Sequence, residues 1–288
     1  MSPCSDASRA RGETPQATAS LVRSFLLIEN PGPWGPEVLQ STRLPGHLRE
    51  ALQGWRDDYG VRTLLIRRPG RYLVGPRNVF VVNAVHGWMQ NVLLYDVADL
   101  LKLIDPAGFQ GPRGVGLAQH TEPLVLVCTH GKHDVCCAVR GRPIAATLAQ
   151  RYPSLVWESS HLGGDRFAGN VVLLPRGDYF GRLDDTDAAS VVSNYLAGHL
   201  DLAHHRGRSI LPRVAQAAEA AVRQQLDATG FDDVGYVGVQ RADGEHLVDF
   251  LVRGEPVTAR VRVGHQPPAQ LTCHATRAES QPSYEVSL

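Results

Sequence analysis

Long apolar runs are missing from this 288-residue chain: none approaches the roughly 18 residues that a membrane span requires. An excess of one charge sign is missing as well. Lysine and arginine total 29, aspartate and glutamate 29, so no net field steers the chain towards nucleic acid or an anionic membrane. The first twenty residues, MSPCSDASRARGETPQATAS, lack the hydrophobic stretch of a secretory signal. Their Ser, Ala and Arg content is also that of organellar transit peptides, but a flexible tail is the expectation. There is no P-loop, no Gly-x-Ser-x-Gly and no Cys-x-x-Cys. The stretch GVGLAQ lacks the third glycine of a dinucleotide fingerprint and follows no strand. Cysteine is scarce: five residues, at 4, 128, 136, 137 and 273. An odd, clustered set in a chain of this length points away from a disulfide framework. It points towards metal or thiol chemistry in a reducing compartment, with the cytoplasm expected.

What is present reads as a soluble α/β protein. SFLLIEN (24–30) is a strand closed by PGPWGP, and residues 44–59 place Leu48, Leu52 and Trp55 at helical spacing before Gly60. TLLIRR, NVFVVNA and MQNVLLYD follow as strands, then DVADLLKLI as a helix. A Gly/Pro-rich stretch (105–116) marks a boundary. Beyond it nearly the same order returns, beginning with strand LVLV (124–127) and helix CAVRGRPIAATLAQRY. LVWESS, NVVLLP and YFGRL are strands, and DAASVVSNYLAGHL is a helix. The halves could be diverged copies of one unit. The expected organisation is a tail (1–20), an α/β unit without ligands (21–110), a ligand-bearing α/β unit (120–205) and a C-terminal appendage (206–288). That appendage should be a helix followed by a three-stranded meander.

Two loops carry the chemistry. Cys128 ends an apolar strand, where α/β folds place their ligands, and Cys137 opens a helix, whose N-terminal amides favour a thiolate. Twenty-four residues after Cys137 comes His161-Leu-Gly-Gly-Asp165, whose glycines let backbone wrap closely around a bulky centre. Thiolate and imidazole suit iron–sulfur clusters or zinc. His130 and His133, in the loop between the cysteines, read as loop residues or supporting donors. Cys136 reads as a spare buried thiol, Cys273 as structural and Cys4 as free in the tail. Asp184 and Asp185 read as charge at a helix N-terminus.

From Leu124 to about Leu196 the chain resembles thioredoxin-like [2Fe–2S] ferredoxins, and more closely the sucrase/ferredoxin-like family. The residues that carry the likeness are CTHGKHDVCC (128–137) and SHLGGDRFAGN (160–170), followed by VVLLPRGDYFGRL, with ENPGPWG in the first half. The resemblance covers roughly residues 1–205. It implies a thioredoxin-like ferredoxin fold and a two-iron cluster bound by Cys128, Cys137, His161 and Asp165. Asp165 departs from the second histidine or cysteine expected at its position, and aspartate is a hard, uncommon cluster ligand. Either it ligates, or it orients another ligand, or Cys136 or Cys273 completes the set.

The function implied is one-electron transfer or redox sensing, with a redox partner protein and with neither nucleic acid nor membrane. The chain is read as an electron carrier more than as an enzyme with its own substrate. Zinc at the same four residues, or thiol–disulfide chemistry at Cys128 and Cys137, are the competing readings. The family's label mentions sucrase, but no carboxylate pair is singled out by spacing as an acid and nucleophile.

Overall fold

The apolar runs become strands because β-branched and aromatic residues fill both faces of a pleated ribbon. The computed structural model describes residues 3–41, 44–70 and 75–288. Strand β1 spans Ser24–Glu29, β2 Val61–Arg67, β3 Arg77–Asn83, β4 Trp88–Leu94 and β5 Ala118–Gln119. After them come β6 (Leu124–Cys128), β7 (Val156–Ser159), β8 (Val171–Leu174), β9 (Asp178–Phe180) and β10 (His205–Arg208). All ten form one mixed sheet, ordered β10-β9-β8-β6-β7-β2-β1-β3-β4-β5.

Within that sheet one strand order occurs twice. Helix α2 (Gly46–Tyr59) connects the parallel pair β1 and β2, and β3 lies antiparallel on the other side of β1. Likewise α4 (Val135–Arg151) connects the parallel pair β6 and β7, with β8 antiparallel beside β6. The two halves meet edge to edge, where Ile66 and Arg67 of β2 pair with Ser159 and Glu158 of β7. Gly60, at φ 68°, ends α2 in the left-handed conformation that a side chain would disfavour.

Alternation along the strands builds separate cores on the two faces. On one face, α2 buries Leu48, Leu52 and Trp55 against Leu26, Ile28 and Leu65. On the same face α4 and α5 (Ala188–Leu196) pack Ile144, Leu148 and Val191 against Val125, Val127 and Val171. The opposite core runs unbroken through both halves, from Phe25 and Phe80 through Trp157 and Leu126 to Cys128 and Cys137. Residues 124, 126 and 128 share that face, which is how the strand period aims the Cys128 sulfur.

Four expectations need correction. The supposed tail is folded from Pro3 onward, with its first two residues outside the described set. Helix α1 (Cys4–Ala10) buries Cys4, Ser5 and Ser8, and Glu13 accepts a 2.6 Å ion-pair hydrogen bond from buried Arg166. Small and polar side chains there fill a polar seam, a pattern without the periodicity that marks an apolar helix face. The segment DVADLLKLI forms a 3₁₀ turn (Val97–Asp99) and only one turn of helix, α3 (Leu100–Leu103). The domain boundary at 205/206 cuts through β10, which pairs with β9 in the large sheet. Finally, α6 (Arg213–Gln225) packs on four strands: β11 (Val234–Ala242), β12 (Glu245–Val252), β13 (Glu255–His265) and β14 (Pro282–Ser287). The fourth is short, polar and separated by sixteen irregular residues (266–281), so no local alternation announces it. Among the described residues no helix is long and apolar enough to cross a membrane.

Candidate metal centre

The centre forms where β6 and β7 end and α4 begins. Asp134 caps α4 by accepting from the Cys136 amide at 2.9 Å, which fixes the turn that brings Cys137 back over Cys128. Gly141 allows α4 to pass against the Cys128 carbonyl; a Cβ at this position would overlap that oxygen. The ligand atoms of Cys128, Cys137 and His161 lie within 4.8 Å of one another. Asp165 Oδ1 is 3.1 Å from Cys137 Sγ and 3.0 Å from His161 Nδ1. Both sulfurs and the carboxylate are buried, whereas the His161 side chain keeps 20% of its surface exposed.

Cys136 and Cys273 lie elsewhere. Their sulfurs are 3.4 Å apart in a separate cluster with Cys4; Cys4 forms no disulfide but is buried in the fold and does not lie in a flexible tail.

The electrostatics favour a cation among these groups. Hydrogen bonding from Cys137 holds the Cys128 thiol well below its usual range despite burial, with help from His161 and the His130 amide. Cys137 is pushed far up, because a neighbouring thiolate, burial and Asp165 all oppose a second charge. Burial disfavours the His161 cation, but Asp165 and Cys128 raise its pKa to about 9. Burial likewise opposes the Asp165 carboxylate, yet His161 keeps it below the usual range. Two thiols, an imidazole and a carboxylate therefore converge with one thiolate readily formed and the second awaiting a positive centre. This donor chemistry fits a thiophilic metal, and these buried groups could hold one.

Support comes from residues that carry no motif. The His130 ring donates from Nε2 to the Gly35 carbonyl at 2.6 Å and accepts at Nδ1 from the His161 amide at 3.1 Å. It thus ties together the loops after β1, β6 and β7. His133 stacks on the His161 ring at 3.7 Å, and its ligand atom is within 4.8 Å of those of His161 and Asp165. Arg206, fully buried on β10, donates to the Gly163 carbonyl at 2.9 Å, to Asn170 Oδ1 at 2.8 Å and to the Thr18 carbonyl at 2.7 Å. Asn170 in turn donates to the Gly164 carbonyl at 2.8 Å. Both glycines of the His161–Asp165 loop have positive φ, and a Cβ on Gly164 would collide with the Arg206 guanidinium. Arg206 leaves no signal in the sequence, because forty residues separate it from Asp165 and a lone arginine in a strand marks nothing. Outside the ring of ligands, His130, His133 and His161 border a surface cavity of about 520 Å³ that also contains Arg56 and Arg62.

These loops match a described family. The sucrase/ferredoxin-like profile aligns with residues 15–207, more than half of the chain, and the chain belongs to that family. A relative from Meyerozyma guilliermondii, named altered inheritance of mitochondria protein 32, is 38% identical over 82 residues. The match spans 25% of this chain and 29% of that protein. No solved structure matches the chain.

Proposed function

We propose that the protein is a thioredoxin-like [2Fe–2S] ferredoxin that carries single electrons to or from a partner protein in the cytoplasm. The observation that carries this reading is the convergence of the Cys128/Cys137 pair with the His161/Asp165 pair, on two loops at the same sheet edge. Membership of a family described as ferredoxin-like supports it, and so do five cysteines free of disulfides. Cys128 and Cys137 would anchor the cluster from inside, and His161 and Asp165 from the outer loop. The cluster, when bound, supplies one-electron exchange at a potential raised by nitrogen ligation relative to an all-thiolate centre. His161, bordering the cavity with Arg56 and Arg62, is the edge nearest solvent and the natural side for a redox partner.

A second reading rests on the close spacing of the donor atoms. Three ligand atoms within 4.8 Å, with Asp165 in contact, also match the donor count and compactness of a single tetrahedral zinc. Thiol–disulfide exchange is disfavoured by access, because both sulfurs are buried beyond reach of an attacking thiol. Visible absorption and electron paramagnetic resonance of anaerobically purified protein decide between iron and zinc. The ferredoxin reading expects a brown protein with iron and acid-labile sulfide in equal amounts. A colourless protein with zinc at Cys128 and Cys137 would replace it.

A further inference from the structure

A second group of metal-capable side chains lies on the other flank of α4. Cys136 and Cys137 are consecutive, and consecutive helical side chains leave the axis about 100° apart. Cys137 faces the centre described above, while Cys136 faces Cys4 of α1 and Cys273 of the irregular segment 266–281. The three sulfurs form a nearly equilateral triangle: 3.6 Å from Cys4 to Cys136, 3.4 Å from Cys136 to Cys273 and 3.5 Å from Cys273 to Cys4. Three thiolates on one tetrahedral zinc, at about 2.3 Å each, would stand about 3.8 Å apart. The triangle therefore needs to open by only a few tenths of an ångström. Each iron of a two-iron cluster takes only two protein ligands, so three sulfurs in mutual contact do not fit one.

Asp134 supplies the independent sign that a cation belongs there. It is fully buried, and among the described residues no arginine, lysine or histidine forms an ion pair with it. Its oxygens accept from the Cys136 amide at 2.9 Å and the Cys273 amide at 2.7 Å, and they lie 3.9 and 3.7 Å from Cys4 Sγ. Two amides orient this carboxylate towards the three sulfurs, and among the described residues no cationic side chain is paired with it. All four donor atoms fall within 4.8 Å of one another.

The surroundings explain why an ion would be useful here. Sixteen residues without regular structure (266–281) separate β13 from β14, longer than most ordered connections. The apolar cluster at their contact with α1 and α4 holds only Cys4, Cys136 and Ala168, with Cys273 at its edge. Apolar contact at this junction is thus slight, and besides it α1 is held by polar contacts such as the 2.6 Å ion pair between Arg140 and Asp6.

We propose that Cys4, Cys136, Cys273 and Asp134 form a structural zinc site that staples the N-terminal helix and the C-terminal loop to the start of α4. A closed shell of three thiolates and one carboxylate, without a bound water, is the arrangement of a structural and not a catalytic zinc. The site shares no donor with the candidate redox centre, although Cys136 and Cys137 are neighbours in the chain.

The test uses the full-length protein, with zinc and iron measured per chain before and after challenge with a chelator. One zinc should survive the challenge in the unmodified protein. Zinc-edge X-ray absorption should then report three sulfur ligands and one oxygen. Cys273→Ser should lower retained zinc at least tenfold and leave iron and the visible spectrum unchanged, while Cys273→His should restore zinc. Zinc that is lost with Cys128→Ser and kept with Cys273→Ser would place it at the other centre and overturn this assignment. So would a zinc-free protein, or a disulfide mapped between any two of the three cysteines. A protein that lacks iron but holds zinc sensitive to Cys273→Ser would overturn the ferredoxin reading alone.

Discussion

The two halves of the large sheet share a strand order but differ in the loop after the first strand. After β1 the chain reads Asn-Pro-Gly-Pro-Trp-Gly-Pro (30–36); after β6 it reads Thr-His-Gly-Lys-His-Asp (129–134). The first loop is filled by Trp34, which is buried, hydrogen-bonds the Asn30 carbonyl at 2.9 Å and lies under the Arg67 guanidinium at 4.5 Å. The second holds His130 and His133 and joins Cys128, at the end of β6, to the helix that carries Cys137. The first loop is nevertheless part of the site, since Gly35 accepts from His130 and Trp34 packs edge-on against the His130 ring at 5.7 Å. At the seam, Arg67 of the first half and Thr129 of the second both donate to Glu158, at 2.7 and 3.0 Å. One half presents the donors, and the other supplies the wall that orients them.

The sharpest way to break this division is to substitute the site-forming loop of each half in turn. Cys128→Ser or Cys137→Ser should abolish metal binding at the candidate centre, read as iron per chain, whereas no single substitution in 30–36 should do so. Next is the departure at Asp165. Asp165→Ala should strip or strongly destabilise the cluster, and Asp165→His should keep it with a raised potential, because neutral imidazole replaces an anion. A cluster that survives Asp165→Ala with unchanged ligand hyperfine couplings would remove Asp165 from the donor set.

Breaking the link between the halves should cost less. His130→Ala deletes the hydrogen bonds to Gly35 and His161 and should weaken metal affinity by ~10–100-fold, measured by chelator competition. Gly141→Ala puts a methyl group against the Cys128 carbonyl and should destabilise the protein by about 1–3 kcal/mol in chemical denaturation.

The smallest effect concerns acid. Strand β4 buries the neutral Gln90, whereas β9 buries Asp178 among His205, Arg176 and Tyr195. Burial opposes the Asp178 carboxylate, yet the His205 hydrogen bond and the neighbouring cations hold its pKa far below the usual range. A depressed carboxylate contributes stability above its unfolded pKa of about 3.9 and loses it as pH falls towards the folded value. Asp178→Asn should therefore flatten the loss of stability below about pH 4, and denaturation midpoints at neutral and acid pH would show it.

Periodicity and local motif determined much of this protein from sequence alone. The strands that fill both faces, α2 with its Gly60 stop, and the two loops that present Cys128, Cys137, His161 and Asp165 are all written in short stretches, because strand and helix periods act between near neighbours. Tertiary structure alone decided the rest. It made one sheet by pairing β2 with β7, carried β10 past the expected boundary, set Arg206 behind the Gly163–Gly164 turn and brought Cys4 to Cys273 across 269 positions. Those contacts rest on single side chains meeting across the fold, where charge, hydrogen bonding and close approach matter and no repeat in the chain records the meeting.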